Sequence, residues 1–179
     1  MIDGIKKILF TETQLDKVVS NLGSQITKDY ADMNPLFVGV LKGSFVFMAD
    51  LIRKVNISCE LDFMVVSSYG NSTKTTGAVK INKDLTKDIE GRHIIIVEDI
   101  LDSGVTLNYL RNYLEGRRPA SVKICTLLDK PERRIADVKP DYIGLVCPDE
   151  FIVGYGLDYA EKYRNLPYIA VLSPEVYDK

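Results

Sequence analysis

The sequence of 179 residues has no tryptophan, one histidine and three cysteines, and these shortages exclude several kinds of site. The cysteines, Cys59, Cys125 and Cys147, are widely spaced and form no CxxC pair, and His93 is the one histidine that could join them. A structural zinc site needs four such ligands in closely spaced pairs, so the sequence predicts no zinc site. Cys59 and Cys125 lie in predicted strands, where we expect buried, reduced thiols.

Long hydrophobic runs are also absent from the sequence. No apolar stretch approaches the roughly 18 residues that a membrane span needs, and the N-terminus lacks the apolar segment of a signal peptide. The net charge of −2 provides no overall attraction to nucleic acids or anionic membranes. No repeat, linker or low-complexity tract divides the chain. We therefore expect a cytoplasmic protein with a single domain over residues 1–179, without membrane or nucleic-acid contact.

The common glycine-rich phosphate motifs, GxxxxGK[ST] and GxGxxG, are absent as well. A different strand–turn–helix pattern occurs twice instead. In the first copy, a buried strand over residues 36–41 leads into Lys42-Gly43-Ser44 and then a helix from Phe45 to Lys54. Amides at a helix N-terminus favour anions, and Lys42 adds a positive charge. Taken alone, such a Lys-Gly turn is more often only a turn.

The second copy, HIIIVEDILDSGVTLNY from His93 to Tyr109, is the most informative stretch of the chain. Its apolar start predicts a strand buried on both faces, as in the middle of a parallel sheet. Glu98, Asp99 and Asp102 follow, before a Ser-Gly turn and a helix predicted from 107 to 114. Adjacent strand residues point to opposite faces, so Glu98 and Asp99 can share one ligand only if the strand ends or twists there. Carboxylates beside a helix N-terminus indicate an enzyme for an anionic, hydroxyl-bearing substrate.

The remaining pattern predicts alternating strands and helices. Thr11 and Gln14 have the spacing of a capping box, at the start of an amphipathic helix over residues 12–31. Further strands are predicted over 57–67, 78–81, 120–128, 142–146 and 168–172, with the first two antiparallel and joined by a polar loop over 68–76. This order predicts an α/β fold with a mostly parallel, twisted sheet flanked by helices.

The segment IIIVEDILDSGVTL, residues 94–107, resembles the phosphoribosyl pyrophosphate-binding signature of the type I phosphoribosyltransferases. Leu41-Lys42-Gly43 upstream, and Lys130 and Phe151–Asp158 downstream, resemble the short bacterial members that act on hypoxanthine and guanine. The resemblance implies the type I fold, with a small hood built from the chain ends, in a homodimer or homotetramer. It also implies a Mg²⁺-dependent purine-salvage reaction that converts phosphoribosyl pyrophosphate and hypoxanthine or guanine to pyrophosphate and IMP or GMP.

The resemblance also implies roles for individual residues. Asp102 is the general base that accepts a proton from N7 of the purine, and Glu98, Asp99 and Asp158 hold the metal. The set that binds the 5′-phosphate and ribose comprises Glu98, Asp99, Asp102, Ser103, Gly104, Val105 and Thr106. The pyrophosphate is bound by Lys42, Gly43 and Arg164 under a lid with Ser68 and Tyr69, and the purine by Lys130, Phe151, Ile152 and Asp158. Val105 departs from the pattern, because some members carry a lysine at that position.

Two alternatives remain open on the sequence. Some proteins with this fold sense phosphoribosyl pyrophosphate or nucleotides and bind RNA or DNA instead of catalysing a reaction, although this chain has no basic tail. A related transferase could use xanthine, uracil or another base; Lys130 and Phe151 favour a 6-oxopurine without ranking hypoxanthine, guanine and xanthine. Without the resemblance, Arg164 and Asp158 would be ordinary surface charges, and Phe-Ile-Val at 151–153 a core strand.

Overall fold

A computed structural model describes residues 2–68 and 79–177, with the backbone alone for Ser68. Tyr69, and with it the predicted lid, lies outside the described residues. In these two ranges the strands are β1 (Ile5–Phe10), β2 (Leu36–Leu41), β3 (Glu60–Ser68), β4 (Val79–Lys83), β5 (His93–Leu101), β6 (Ser121–Asp129), β7 (Tyr142–Val146), β8 (Ile152–Val153) and β9 (Ile169–Leu172). The helices are α1 (Glu12–Asp29), α2 (Phe45–Lys54), α3 (Val105–Glu115) and α4 (Pro174–Tyr177).

Six strands form the main sheet in the order β4-β3-β2-β5-β6-β7. All are parallel except β4, which runs antiparallel to β3. Side chains of β5 alternate between the two faces: Ile95 and Val97 join the core of α1 and α2, whereas Ile94 and Ile96 join the core of α3. Helices therefore cover both faces, which explains why β5 begins with an unbroken apolar run. The predicted mostly parallel α/β sheet is confirmed.

A second, smaller sheet has the order β1-β9-β8, with antiparallel neighbours. Ile5 pairs with Leu172, so strands from the two ends of the chain lie side by side. Val153 is fully buried in a small core that belongs to this sheet. Phe151 and Ile152 line a cavity together with residues that follow β5 and β6, so this sheet lies over the carboxyl edge of the main one. It is the predicted hood.

The capping box at the start of α1 is present as predicted. Thr11 Oγ1 accepts a hydrogen bond from the Gln14 amide, and the Gln14 side chain accepts one from the Thr11 amide at 2.9 Å. α1 ends at Asp29, two residues before its predicted end. Tyr30 caps the helix, and Asp32 then takes a left-handed conformation with a φ of 65°, which an α-helix does not allow.

The predicted bounds of β2, α2 and β7 are confirmed, whereas β3 begins at Glu60 instead of residue 57. Cys59 therefore lies just outside the strand in which it was predicted. Cys59, Cys125 and Cys147 are free thiols, and burial raises the pKa of each. Cys125 is buried as expected, whereas Cys59 is only partly buried. Among the described residues, no helix has both the length and the hydropathy to cross a membrane.

Candidate active site

The candidate site lies at the carboxyl edge of the main sheet, between β2 and β5. From β2 the chain continues outward to β3, and from β5 it continues outward to β6 on the other side. Open parallel sheets bind ligands in the crevice at such a reversal point. The turn after β2 carries Lys42 and Gly43, while β5 carries Glu98 and Asp99 and is followed by Asp102. The fold thus brings together the two strand–turn–helix patterns of the sequence.

The turn after β5 has a shape that requires glycine. Gly104 has a φ of 80°, and a Cβ atom there would lie 2.6 Å from Val138 and 2.8 Å from Arg134. α3 begins at Val105, two residues earlier than predicted, so its free amides follow the Ser-Gly turn directly. A cavity of about 220 Å³ opens here, lined by residues 98–104, 106 and 107. A phosphate group in this cavity would meet free amides at a helix N-terminus.

Arg134 fixes the same turn, although no sequence motif predicts it as part of the site. Its guanidinium donates to the carbonyl oxygens of Leu101 at 3.3 Å and Asp102 at 3.0 Å. It also forms a buried ion pair with Asp129, the last residue of β6. The amides of residues 135 and 136 donate to the Ser103 carbonyl oxygen. A carboxylate at the end of a buried strand needs a cationic partner. Asp129 is therefore the residue from which an ion pair with a nearby arginine could have been predicted.

Glu98 and Asp99 occupy successive positions of β5, which does not end between them but continues to Leu101. Alternation places Asp99 on the same face as α2, where its carboxylate lies against the turn after β2. A Cβ atom on Gly43 would lie 1.8 Å from Asp99 Oδ2, so this approach also requires glycine. Both carboxylates nevertheless line the 220 Å³ cavity. The structure therefore brings to one cavity two side chains that strand alternation alone would separate.

Burial is the main influence on these two carboxylates. It raises the pKa of Asp99 to about 6, although a hydrogen bond from the Ile100 amide and the charge of Arg164 act in the opposite direction. Burial and the charge of Asp99 raise the pKa of Glu98 well above its ordinary value. A cation or hydroxyl donors would offset the desolvation of both groups, so the pair is suited to bind either.

The donor set fits Mg²⁺ better than a metal that requires a cage of protein ligands. In residues 2–68 and 79–177, no three His, Cys, Asp or Glu side chains are grouped to hold a metal. Mg²⁺ typically keeps several waters and binds one or two carboxylates together with substrate phosphates. Glu98 and Asp99 provide such a pair, whereas Asp158 Oδ1 lies 2.8 Å from Arg164 in an ion pair.

A second cavity, of about 350 Å³, adjoins the first, and Asp102 lines both. Lys130 is 4% exposed, and its Nζ donates to the Glu150 carbonyl oxygen at 3.0 Å. Phe151 is 39% exposed and lines the cavity, whereas Ile152 is buried as in a core strand. A buried cation and an exposed aromatic ring in one cavity suit a planar ligand that carries an oxygen at its edge.

Arg133 and Tyr177 also line this second cavity, and no sequence motif predicts either of them there. Arg133 Nε lies 3.5 Å from Asp102 Oδ1, an atom that is buried and accepts no hydrogen bond in the described part of the chain. Tyr177 of α4 stacks on Phe151, with ring centroids 4.8 Å apart and 23° between the ring planes. No local pattern connects these residues to the site, because each reaches it through the tertiary fold.

The segment after β8 packs closely on the turn after β2. Gly156 has a φ of 103°, and a Cβ atom there would lie 2.1 Å from the Gly43 carbonyl oxygen. The side chain of Arg164 is 19% exposed; it donates to the Gly156 carbonyl oxygen at 2.8 Å and pairs with Asp158. Arg164 and Asp158 are therefore partners in a packed segment beside Lys42, and not ordinary surface charges.

A cavity of about 710 Å³, larger than the two described above, lies between α1, α2 and residues 155–167. Arg164 contributes to its wall, but Asp99, Asp102, Lys130 and Phe151 do not. The two carboxylates whose pKa values burial raises, Glu98 and Asp99, line the 220 Å³ cavity, and the buried Lys130 lines the 350 Å³ cavity, so we assign the chemistry to those two cavities.

Comparison with known proteins agrees with this geometry. The family described as phosphoribosyl transferase domain matches residues 8–160. Over 174 residues the chain is 56% identical to the hypoxanthine-guanine phosphoribosyltransferase of Bacillus subtilis, with 97% of each chain covered. It is 52% identical to the bifunctional protein TilS/HprT of Listeria monocytogenes, covering 100% of this chain and 28% of that protein. A crystal structure of a hypoxanthine phosphoribosyltransferase from Staphylococcus aureus has a TM-score of 0.96 and 49% identity, covering 99% of this chain and 96% of that one.

The matched range contains the main sheet, both glycine-containing turns and all the carboxylates of the two cavities. The Bacillus subtilis and Staphylococcus aureus proteins extend the likeness over nearly the whole chain, hood included. The resemblance to the type I fold that the signature indicated is confirmed, and the chain belongs to the phosphoribosyltransferase family.

Proposed function

We propose that this chain transfers the 5-phosphoribosyl group of phosphoribosyl pyrophosphate to N9 of hypoxanthine or guanine, a reaction of purine salvage. The products are IMP or GMP and pyrophosphate. The observation that carries the proposal is the position of Asp102, on the wall shared by the 220 Å³ cavity and the 350 Å³ cavity. The name of the Bacillus subtilis relative, at 56% identity, supports the same reaction.

The 5′-phosphate binds in the turn after β5. Amides from Ser103 to Thr106 and the hydroxyls of these two residues donate to it, and Gly104 allows the close approach. Val105 contributes an amide at the first position of α3, without the charge that a lysine would add. The 2′- and 3′-hydroxyls of the ribose donate to Glu98 and Asp99, whose raised pKa values favour such donors.

Glu98, Asp99 and Asp158 would hold Mg²⁺, directly or through water. When bound, the ion supplies positive charge against the negative charge that develops on the leaving pyrophosphate. The raised pKa values of Glu98 and Asp99 support this assignment, because a neighbouring cation stabilises the ionised carboxylates.

Asp102 accepts the proton from N7 of the purine while N9 attacks C1′ of the ribose. A carboxylate can do this when it lies within hydrogen-bond reach of the nitrogen. Lys130 donates to the 6-oxo group, which adenine lacks, and Phe151 stacks on the purine ring. Backbone atoms of Ile152 contact the ring edge, with Asp158 on the same wall of the cavity.

Pyrophosphate leaves toward Lys42, Gly43 and Arg164. The packing of Gly156 on Gly43 supports this assignment, because it places Arg164 beside the turn that carries Lys42. Closure of a lid with Ser68 and Tyr69 would exclude water from the donor and stays a prediction. The single domain over residues 1–179, the homodimer or homotetramer and the cytoplasmic location also stay predictions.

A spectrophotometric assay with phosphoribosyl pyrophosphate and Mg²⁺ tests the proposal against hypoxanthine, guanine, xanthine, adenine and uracil in turn. We expect turnover of hypoxanthine and guanine, abolished by a chelator. Turnover of adenine or uracil instead would contradict the role of Lys130. Binding of the donor without turnover of any base would favour the regulator alternative, and xanthine turnover would favour the related transferase.

The same assay tests Asp102 directly. Asp102→Asn keeps the shape of the side chain and removes the base, so we expect turnover to fall by about 10²–10⁴-fold. Asp88→Asn, at an exposed aspartate in the loop before β5, makes the same chemical change away from the cavities and should retain activity. Turnover near that of the wild type in Asp102→Asn would show that another group accepts the proton.

A further inference from the structure

Lys42 and Arg164, the two cations proposed for pyrophosphate, both contact the carboxylate of Glu161. Lys42 Nζ lies 2.9 Å from Glu161 Oε2, and Arg164 Nη2 lies 3.5 Å from Glu161 Oε1. The cations come from distant parts of the chain, the turn after β2 and the segment after β8. One carboxylate, with one oxygen on each cation, therefore joins the two halves of the proposed pyrophosphate site.

The backbone around Glu161 is shaped to hold its carboxylate in this position. Ala160 and Glu161 have φ values of 49° and 64°, in the left-handed region that such residues rarely adopt. The Glu161 amide donates to Asp158 Oδ2 at 2.9 Å, and Asp158 in turn pairs with Arg164. Unfavourable backbone conformations persist where the surroundings hold them, and they are frequent at ligand sites.

We propose that Glu161 is an internal substitute for pyrophosphate, which keeps Lys42 and Arg164 in position before the donor binds. The inference rests on the proposed function, because it takes pyrophosphate as the ligand of these two cations. Pyrophosphate, like Glu161, presents negatively charged oxygens to both. The donor must therefore displace Glu161, and the return of its carboxylate to the cations promotes the departure of product pyrophosphate. Glu161 is a positioning residue, since it contacts the cations and not the reacting atoms.

Solvent exposure limits how strongly Glu161 competes with pyrophosphate for Lys42 and Arg164. The side chains of Lys42 and Glu161 are 67% and 64% exposed. Exposed ion pairs are weak, so removal of the Glu161 charge should tighten pyrophosphate binding by about two- to fivefold. A weak competitor suits the role, because a strong one would keep the donor out.

Calorimetric titration of the whole chain with inorganic pyrophosphate in the presence of Mg²⁺ tests this proposal. Glu161→Gln removes the charge with little change of shape. The matched control is Glu90→Gln, at an exposed glutamate that pairs with Arg118 at 3.1 Å in the loop before β5. We expect Glu161→Gln to bind pyrophosphate about two- to fivefold more tightly than the wild type, with a smaller gain at high salt. Glu90→Gln should bind like the wild type.

Steady-state kinetics give a second measurement, which a merely structural role would not change. Glu161→Gln should lower the inhibition constant of product pyrophosphate and leave KM for hypoxanthine unchanged. Unchanged or weaker pyrophosphate binding by Glu161→Gln, with normal binding by the wild type, overturns the inference alone. An equal gain in Glu90→Gln assigns the effect to net charge and overturns it too. A wild type that neither binds pyrophosphate nor transfers the phosphoribosyl group overturns the proposed function and the inference together.

Discussion

Two buried aspartates, Asp62 in β3 and Asp99 in β5, are both 9% exposed and have opposite surroundings. Asp62 accepts hydrogen bonds from the Thr86 amide at 2.7 Å and hydroxyl at 2.8 Å, and it pairs with Lys83 at 3.1 Å. Asp99 accepts a hydrogen bond from the Ile100 amide at 2.8 Å and has no cation within ion-pair distance among the described residues. Residues of the chain thus provide hydrogen-bond donors and a cation for the Asp62 carboxylate, but no ion-pair partner among the described residues for that of Asp99.

The surroundings move the two pKa values in opposite directions. Burial alone would raise the pKa of Asp62, but the hydrogen bonds of Thr86 and Phe63 and the contact of Lys83 outweigh it and lower the pKa to about 2. Burial dominates at Asp99 and raises its pKa to about 6. A buried carboxylate whose partners all come from the chain is therefore structural. A buried carboxylate short of donors is suited to bind a ligand.

Replacement of the structural aspartate should have the largest effect on stability. Asp62→Ala leaves Thr86 and Lys83 without their partner, so we expect the free energy of unfolding to fall by about 2–4 kcal/mol at pH 7. Urea denaturation measures this change. Asp88→Ala, at the exposed aspartate, removes one hydrogen bond from the Glu90 amide at 3.2 Å and should lose no more than about 1 kcal/mol. If Asp62→Ala lowered the free energy of unfolding no more than Asp88→Ala, Asp62 would not differ from an exposed aspartate in its contribution to stability.

Two glycine variants isolate the contribution of Asp99, because one acts on this carboxylate and the other does not. In Gly43→Ala the new Cβ would lie 1.8 Å from Asp99 Oδ2 and must displace it. We expect a loss of about 2 kcal/mol in stability together with reduced activity. Gly91 has a φ of 70°, and no atom of the described residues lies within 4 Å of the added Cβ, so Gly91→Ala should lose about 1 kcal/mol from backbone strain alone. If Gly91→Ala lowered kcat/KM as much as Gly43→Ala, the loss of activity in Gly43→Ala could not be assigned to Asp99.

Asp99→Asn should change stability by less than Asp62→Ala, and in the opposite direction. The folded protein binds the Asp99 proton more tightly than the unfolded chain, because the folded pKa is about 6 and the unfolded value is 3.8. The contribution of protonated Asp99 to the free energy of unfolding is therefore lost as the pH rises from 3.8 to about 6. We expect Asp99→Asn to be about 1–2 kcal/mol more stable than the wild type at pH 7 without metal, and nearly inactive. The difference should vanish below about pH 4. If Asp99→Asn were less stable than the wild type at pH 7, the chain itself would already offset the desolvation of the ionised Asp99 carboxylate.

Much of the fold could be predicted because its signals are local. The apolar runs of β2 and β5, the Thr11–Gln14 capping box and the helical period of α2 each depend on residues close together in sequence. The second strand–turn–helix pattern also predicted an anion site where carboxylates adjoin a helix N-terminus. The start of α3 was missed by two residues, because Gly104 takes a left-handed conformation that allows the helix to begin at once.

The rest of the site depends on contacts between distant segments, for which no sequence period exists. Arg134 reaches back to the carbonyl oxygens that precede the phosphate turn, and Tyr177 stacks on Phe151 from the last helix. Glu161 contacts Lys42, which lies 119 residues earlier in the sequence. The direction of each long side chain follows from the packing of the whole molecule, so local spacing carries no information about it.

The pairing of Ile5 with Leu172 in the hood bears on the order in which the site forms during folding. Contacts between residues so far apart close a very large loop, and such contacts form late. The main sheet pairs strands that are much closer in sequence, and the phosphate turn depends only on this sheet and on the segment after β6. A nascent chain can therefore complete its phosphate turn before Phe151 is in position. The purine cavity is complete only when β9 has left the ribosome, because Ile152 pairs with Val171 and the Leu172 amide donates to the Phe151 carbonyl oxygen at 2.8 Å.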